Sequence, residues 1–171
     1  MISESKVKES RVYSPTAKWM HWAFIAVFAY GVINQVDEVE ELEDFALLMN
    51  EVLFTVLFLS VLLVRYLYMR TVSAALPALD MPRRLILLAK IVQQGMYVSL
   101  TLIGVTGLAI GGLYYSGVKE GALLEVVLLA HELFFWVSFN LMGAHIAGAI
   151  YHRFKSDGVW DSMVPFFKEK A

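Results

Sequence analysis

The sequence predicts an all-α membrane protein whose four transmembrane helices pack as a bundle. Of its 171 residues, 58% are hydrophobic and only 18% are charged, and the mean hydropathy is positive. Soluble domains of this size have a more polar composition. Four long apolar segments follow one another, and each is long enough to cross about 30 Å of hydrocarbon as a helix. We therefore interpret residues 1–171 as a single membrane domain.

The four predicted helices cover approximately residues 15–36, 45–69, 85–113 and 122–153. Ser14 and Pro15 are typical of a helix N-cap followed by proline at the first helical position. The residues before helix 1 are polar and of mixed charge, and no small-residue cleavage pattern follows that helix. We therefore expect no cleaved signal peptide.

The basic residues predict the orientation of the helices. They precede helix 1, surround the connection between helices 2 and 3, and follow helix 4, whereas Lys119 alone falls on the opposite side. By the positive-inside rule, both termini are cytoplasmic, and the chain is expected to be a multi-pass protein. The basic residues on the inner side are Lys6, Lys8, Arg11, Lys18, Arg65, Arg70, Arg83, Arg84, Lys90, Arg153, Lys155, Lys168 and Lys170.

The predicted outer face is acidic. Residues 37–44 contain six carboxylates, and Glu120 and Glu125 add to them in the second outer loop. This loop is either a solvated connection or a docking surface for a basic redox partner, such as a c-type cytochrome. Nucleic acid is not an expected partner, because the basic residues follow the membrane topology and form no groove-like patch.

Histidine is the candidate ligand type, because the chain has no cysteine for thiolate or iron-sulfur chemistry. An ionisable residue inside a span is costly and indicates a functional site. His21 in helix 1 and His145 in helix 4 are expected at similar depth in the cytoplasmic half of the membrane. Two neutral imidazoles on facing helices are typical of bis-histidine ligation of haem b. The alternative is a pair of interfacial histidines without a ligand role.

Small residues surround His145 in the sequence, namely Gly143, Ala144, Ala147 and Gly148. A flat macrocycle that lies against a helix requires neighbours without bulk, so this pattern supports a cofactor. The glycines of helix 3 have the ordinary explanation of close helix packing.

His131 lies fourteen residues before His145. This spacing corresponds to a rise of about 21 Å and a return to within about 40° of the same helix face. A second haem would need a partner at the outer end of helix 2, where Met49, Asn50 and Glu51 stand instead of a histidine. At the inner end, His152 is an interfacial residue that, with Arg153 and Lys18, is a candidate for pairing with haem propionates.

The chain resembles the bacterial cytochrome b561 type of four-helix membrane cytochromes, which is related to the b-type subunits of membrane hydrogenases. The resemblance covers nearly the whole chain. It rests on the order and spacing of several short motifs, which are residues 14–22, residues 64–67, His131-Glu132, His145, residues 152–154 and residues 157–163.

The resemblance implies an inner haem between helices 1 and 4, matched by His21 and His145, and an outer haem between helices 2 and 4, half matched by His131. The family's histidine on helix 2 would fall at or beside Glu51. Three outcomes follow: no outer haem and a hydrogen bond between Glu51 and His131, an outer haem ligated by His131 and Met49, or a five-coordinate outer haem. One haem is the expectation and two the alternative.

The resemblance also implies a function, which is electron transfer between the quinone pool and a partner protein or a small oxidant or reductant. One alternative is a superoxide:quinone oxidoreductase, although the acidic segment 37–44 would repel superoxide. An alternative of another class is a non-haem metal site formed by His131, Glu132, Glu51 and Asn50, or a structural subunit of a membrane respiratory complex.

Overall fold

The structure is a computed structural model, and it describes residues 13–71 and 82–169. In these ranges every regular element is a helix, so the all-α prediction is confirmed. Lys6, Lys8, Arg11 and Lys170, which contribute to the predicted orientation, lie outside the described residues. The helices are α1 (Pro15–Ile33), a 3-10 helix (Val39–Glu43), α2 (Phe45–Thr71), α3 (Arg83–Tyr115), α4 (Ala122–Lys155) and α5 (Val159–Met163).

Local capping explains where α1 begins and ends. The Ser14 side chain accepts a hydrogen bond from the Ala17 backbone at 3.2 Å, which confirms the predicted N-cap. The same hydroxyl lies 3.0 Å from the Tyr68 hydroxyl of α2. At the other end, the backbone and side-chain amides of Asn34 both donate to the Tyr30 carbonyl. The helix therefore stops three residues earlier than expected.

Helices α2, α3 and α4 are each long and apolar enough to cross a membrane. Helix α1 is not in this group, because polar residues in its first turns, among them Lys18 and His21, lower its mean hydropathy. Its length of about 28 Å is close to the thickness of the hydrocarbon core. Three of the four predicted spans thus meet the criteria, and spanning by α1 stays a prediction.

The long helices pack in chain order: α1 against α2, α2 against α3, and α3 against α4. One buried apolar cluster contains Phe24, Phe58, Leu62 and Leu100 from α1, α2 and α3. Within the described ranges, α1 and α4 do not pack along each other. Three pairs of neighbouring helices therefore pack together, whereas α1 and α4 leave a gap between them.

Two glycines of α3 allow α2 to approach closely. A Cβ atom at Gly104 would lie 2.5 Å from Cδ2 of Leu59, and one at Gly111 would lie 2.8 Å from Cγ2 of Val52. No side chain fits at these distances without movement of the neighbour. The packing role expected for the glycines of helix 3 is thus confirmed for these two positions.

The acidic segment 37–44 folds onto the end of the bundle instead of extending freely. Its 3-10 helix buries Leu42 in a second apolar cluster with Leu48, Ile110, Tyr114 and Leu124. Nζ of Lys119 lies 3.2 Å from Oε1 of Glu43, and both side chains are exposed. The loop thus presents its carboxylates from an ordered surface.

The C-terminal segment forms a cap over the inner end of α1. The Lys18 ammonium donates to the Asp161 carbonyl at 3.0 Å, and the Trp22 indole N–H donates to the Met163 carbonyl at 3.4 Å. The Glu169 carboxylate accepts hydrogen bonds from the backbone N–H groups of Gly158 and Trp160. These contacts tie the tail to the part of α1 that contains His21.

Candidate functional site

His21 of α1 and His145 of α4 lie beside each other. Their ring centroids are 6.3 Å apart, and their ring planes make an angle of 68°. The two helices do not otherwise pack together, so the imidazoles extend from separated backbones toward a shared space. The similar depth predicted for these residues from helix direction agrees with this geometry.

The distance between the two ring centroids can be compared with the distance expected for two histidines that bind one metal ion. An imidazole nitrogen bonds a metal ion at about 2.0–2.1 Å, and each ring centroid lies roughly 1 Å behind its ligating nitrogen. Two imidazoles that bind one ion from opposite sides therefore have centroids about 6 Å apart. The observed separation of His21 and His145 matches this value.

The surface of α4 beside His145 leaves room for a flat ligand. A Cβ atom added at Gly148 would have no heavy atom within 4 Å. Gly148 follows His145 by three residues, which places it about 60° away on the same side of the helix. Gly143 is also open, but it lies about 160° from His145 and faces elsewhere. Gly148 is thus the glycine that fits the role predicted for small neighbours.

Arg65 of α2, one of the basic residues that predict the orientation, is a charged group close enough to act on the histidine pair. Its side chain is 8% exposed, and its charge acts directly on both His21 and His145. Its Nη1 atom is buried without a hydrogen-bond partner among the described residues. An arginine inside a predicted span is itself the sequence signal of a functional group.

Two phenols share the neighbourhood of Arg65. The hydroxyl of Tyr97, on α3, is buried without a hydrogen-bond partner in the described part of the chain. Tyr13 lies just before α1, and burial raises the pKa of its phenol while the Arg65 charge opposes the shift. The histidine pair thus shares its part of the bundle with two hydrogen-bond donors, Arg65 Nη1 and the Tyr97 hydroxyl, that have no acceptor among the described residues.

These residues fit haem b. Two imidazoles at the spacing of a shared ion could supply two ligands, the open face at Gly148 would leave room for a planar ring, and the Arg65 Nη1 atom, without a partner among the described residues, suits an anionic substituent.

His131 contacts α3 beside Thr106 and Gly107. Its Nδ1 atom lies 2.9 Å from the Thr106 hydroxyl, and its Cε1 atom would be 3.4 Å from a Cβ atom at Gly107. Among the described residues, His131 makes no hydrogen bond with Glu51. The structure thus pairs His131 with Thr106 instead of the expected Glu51, because the ring points into the interface between α3 and α4.

The three inner residues considered for haem propionates are engaged in the C-terminal cap. Nδ1 of His152 lies 2.7 Å from Oδ2 of Asp157, and the Arg153 guanidinium donates to the Phe167 carbonyl at 3.1 Å. The Lys18 ammonium, as described above, binds the Asp161 carbonyl. The three residues thus have partners within the cap, and their pairing with haem propionates stays a prediction.

The hydrogen bonds of the Asp157 carboxylate affect its ionisation. Partial burial of the group opposes its charged form, but hydrogen bonds from His152, Val159 and Lys155 outweigh this effect. The pKa of Asp157 is therefore lowered from its ordinary value.

The alternative of a non-haem metal site finds no support. Across residues 13–71 and 82–169, no group of three or more His, Asp or Glu side chains is placed to hold a metal ion. His131, Glu132, Glu51 and Asn50 thus do not form the proposed cluster, because His131 points toward Thr106.

A groove of about 550 Å³ lies between α2 and α3. Most of its lining is aliphatic, and its polar side chains are Tyr66, Gln94, Tyr97 and Thr101. Tyr97 therefore contributes both to this groove and to the group of side chains around Arg65.

Comparison with known proteins gives one match. The family model described as prokaryotic cytochrome b561 matches residues 12–166. This range contains the four long helices together with His21, Arg65, His131 and His145. No curated protein matches the chain significantly, and no solved structure does so.

Proposed function

The chain belongs to the prokaryotic cytochrome b561 family, and on this premise we propose that it transfers electrons through a single haem b ligated by His21 and His145. The family consists of membrane b-type cytochromes that act in electron transfer and bind haem b. The placement of the two imidazoles, with centroids 6.3 Å apart on separated helices, is the observation that carries the assignment of this pair.

The chemistry of the proposed site is outer-sphere electron transfer. Haem b would supply a one-electron couple when bound, and ligation by two histidines would favour electron transfer over binding of a substrate at the iron. His21 and His145 would hold the iron, and Gly148 would leave room for the ring. The C-terminal cap restricts access of water because it binds Lys18 and Trp22 on either side of His21.

The proposal includes a four-span topology with both termini in the cytoplasm of a bacterial inner membrane. Helix α1 is antiparallel to α2 and presents His21 to α4. Its 19 residues suffice to cross the hydrocarbon core with little tilt. In this orientation the haem lies in the cytoplasmic half of the membrane.

We propose one haem instead of two. His131 lacks a second ligand at its side, and its Nδ1 atom is engaged by Thr106. The histidine that the family has on α2 would fall at or beside Glu51, where this chain has Met49, Asn50 and Glu51 and no histidine. This corresponds to the first of the three outcomes considered above, with Thr106 in the place of Glu51.

A quinone is the proposed membrane-soluble reactant, and the groove between α2 and α3 is its proposed binding place. The aliphatic lining suits an isoprenoid chain, while Tyr66 and Gln94 offer hydrogen bonds to a quinone carbonyl. Because Tyr97 lines the groove and also lies near Arg65, a ring bound there would be close to the haem edge.

The second proposed reactant is a basic redox protein at the acidic outer surface. The carboxylates of residues 37–44 lie on an ordered loop that Leu42 anchors to the bundle. Such a surface attracts a positively charged partner and increases its association rate at low ionic strength. Lys119 pairs with Glu43, so no observation favours the attraction of superoxide.

Four alanine variants test the ligand assignment by optical spectroscopy of purified protein. His21→Ala and His145→Ala should each lose the haem absorption, because each removes one axial ligand. His131→Ala and His152→Ala are matched controls and should keep the spectrum. Loss of all haem in His131→Ala together with retention in His21→Ala would overturn the assignment.

A further inference from the structure

Arg65 is a buried cation for which the described residues supply no salt bridge. Its side chain is 8% exposed, and Nη1 has no hydrogen-bond acceptor among the described residues. A buried charge is costly unless it is paired and hydrogen-bonded. The salt bridges in the described part of the chain involve Lys119, His152 and Lys155, and none involves Arg65.

Tyr97 supplies a second buried donor in the same region. Its hydroxyl has no partner among the described residues, and its ring lies 5.1 Å from that of Tyr66. Tyr13 interacts electrostatically with both Tyr97 and Arg65, and Tyr66, whose ring contacts that of Tyr97, is the residue next to Arg65 on α2, so the two donors belong to one neighbourhood. Two donors from adjacent helices therefore have room for one shared acceptor.

The position of this pair of donors identifies the acceptor. The Arg65 charge acts on His21 and on His145, so the guanidinium lies in the neighbourhood of both rings. Haem b has two propionate carboxylates on one edge of its macrocycle. Arginine binds a carboxylate through two parallel N–H groups, and charge-assisted hydrogen bonds are stronger than neutral ones.

We propose that Arg65 and Tyr97 form a carboxylate-binding site that holds one propionate of the haem between His21 and His145. This inference rests on the proposed function, since it requires a haem at the histidine pair. The propionate would satisfy both buried donors and fix the rotation of the macrocycle about the axis between the histidines. Arg65 acts here as a positioning residue, and it also determines the charge beside the iron.

The charge beside the iron has a measurable consequence. Ferric haem has one more positive charge than ferrous haem, so a nearby cation favours the ferrous form. Removal of the Arg65 charge leaves the propionate without its counter-ion and favours the ferric form. The reduction potential should therefore fall. Removal of the Tyr97 hydroxyl should change the potential in the same direction by less, because a neutral donor interacts more weakly with an anion.

The test is a spectroelectrochemical titration of the purified haem-containing protein in detergent. Arg65→Gln should change the ratio of ferrous to ferric haem at a fixed ambient potential by about tenfold, which corresponds to about 59 mV for a one-electron couple. Tyr97→Phe should produce a smaller decrease, and Arg65→Lys should retain most of the wild-type potential.

Two exposed residues serve as matched controls. Arg70 lies on the same helix as Arg65 but is exposed, and Tyr30 is exposed near the C-terminal end of α1. Arg70→Gln and Tyr30→Phe remove the same chemical groups outside the proposed carboxylate site, so both should keep the wild-type potential. An Arg65→Gln potential equal to that of Arg70→Gln would overturn the inference and leave the ligand assignment intact.

The remaining outcomes are also distinct. If Arg65→Gln does not retain haem, the other two variants test the inference. A wild-type potential in Tyr97→Phe, together with loss of haem in Arg65→Lys, would contradict a carboxylate site. If the wild-type protein contains no haem, the proposed function itself fails, and the inference fails with it.

Discussion

The rings of His21 and His145 lie 6.3 Å apart, although their helices do not pack against each other in the described part of the chain. The separation arises because α1, α2, α3 and α4 contact one another only in chain order. The two histidine side chains meet in the gap between α1 and α4. The geometry is that expected of residues that share a ligand located between two helices.

A bulky residue at Gly148 should prevent cofactor binding. Gly148→Leu would fill the open space on the His145 side of α4, so we expect a loss of haem of at least tenfold relative to protein. The measurement is the ratio of haem absorbance to protein in purified samples.

Gly143→Leu is the matched control for this substitution. Its Cβ position is equally open, yet it faces away from His145, so the haem content should stay near that of the wild type. Equal haem loss in both variants would indicate that leucine disturbs α4 itself and would contradict the assigned role of Gly148.

The contact between α2 and α3 should tolerate no side chain at Gly104. Gly104→Ala places its Cβ atom 2.5 Å from Leu59 Cδ2 and 2.7 Å from Cγ, so leucine or the helix must move. We expect a decrease in the free energy of unfolding of about 1–3 kcal/mol. Thermal unfolding in detergent, with Gly112→Ala as the control at an open position, measures the difference. A Gly112→Ala variant less stable than Gly104→Ala would refute the packing model.

The C-terminal cap should loosen in acid because of Asp157. Its pKa in the folded protein lies below the ordinary value of 3.8, so its hydrogen bonds stabilise the cap fully above that value. This contribution is lost as the pH falls through the lowered pKa. Trp160 fluorescence during chemical unfolding, measured from pH 7 downward, should therefore report a stability that declines below about pH 4.

Asp157→Asn isolates the contribution of this carboxylate. The variant should be less stable than the wild type at pH 7, and the difference should vanish toward pH 2, where both side chains are neutral. Asp37→Asn, which alters an exposed outer carboxylate, should leave the tail unchanged. If the stability difference between the wild type and Asp157→Asn grew as the pH fell, the assigned role of the Asp157 carboxylate would be contradicted.

The helices and the histidine pair could be predicted because they depend on properties that the sequence carries directly. Apolar length predicts α2, α3 and α4, the Ser14-Pro15 pair predicts the start of α1, and residue counting along antiparallel helices predicts that His21 and His145 meet. These inferences use only rise, rotation and hydropathy.

The remaining features depend on how each helix is rotated about its axis, which sequence does not specify. Burial of Arg65 and the contact of His131 with Thr106 follow from side chains that pack across helix interfaces. The cap is similar, since Lys18 and Trp22 bind backbone carbonyls of residues more than a hundred positions away. A backbone carbonyl is present at every residue and leaves no sequence pattern, so the partners of Lys18 and Trp22 could not be predicted from the sequence.

The most direct test of the single-haem site is a reduced-minus-oxidised spectrum of purified protein, combined with a pyridine haemochrome count per chain. We expect about one haem b per chain with the spectrum of a low-spin, six-coordinate iron. About two haems would mean that His131 has a partner after all and that the site between α1 and α4 is not the whole pathway. A protein without haem would contradict the assignment of His21 and His145 as axial ligands.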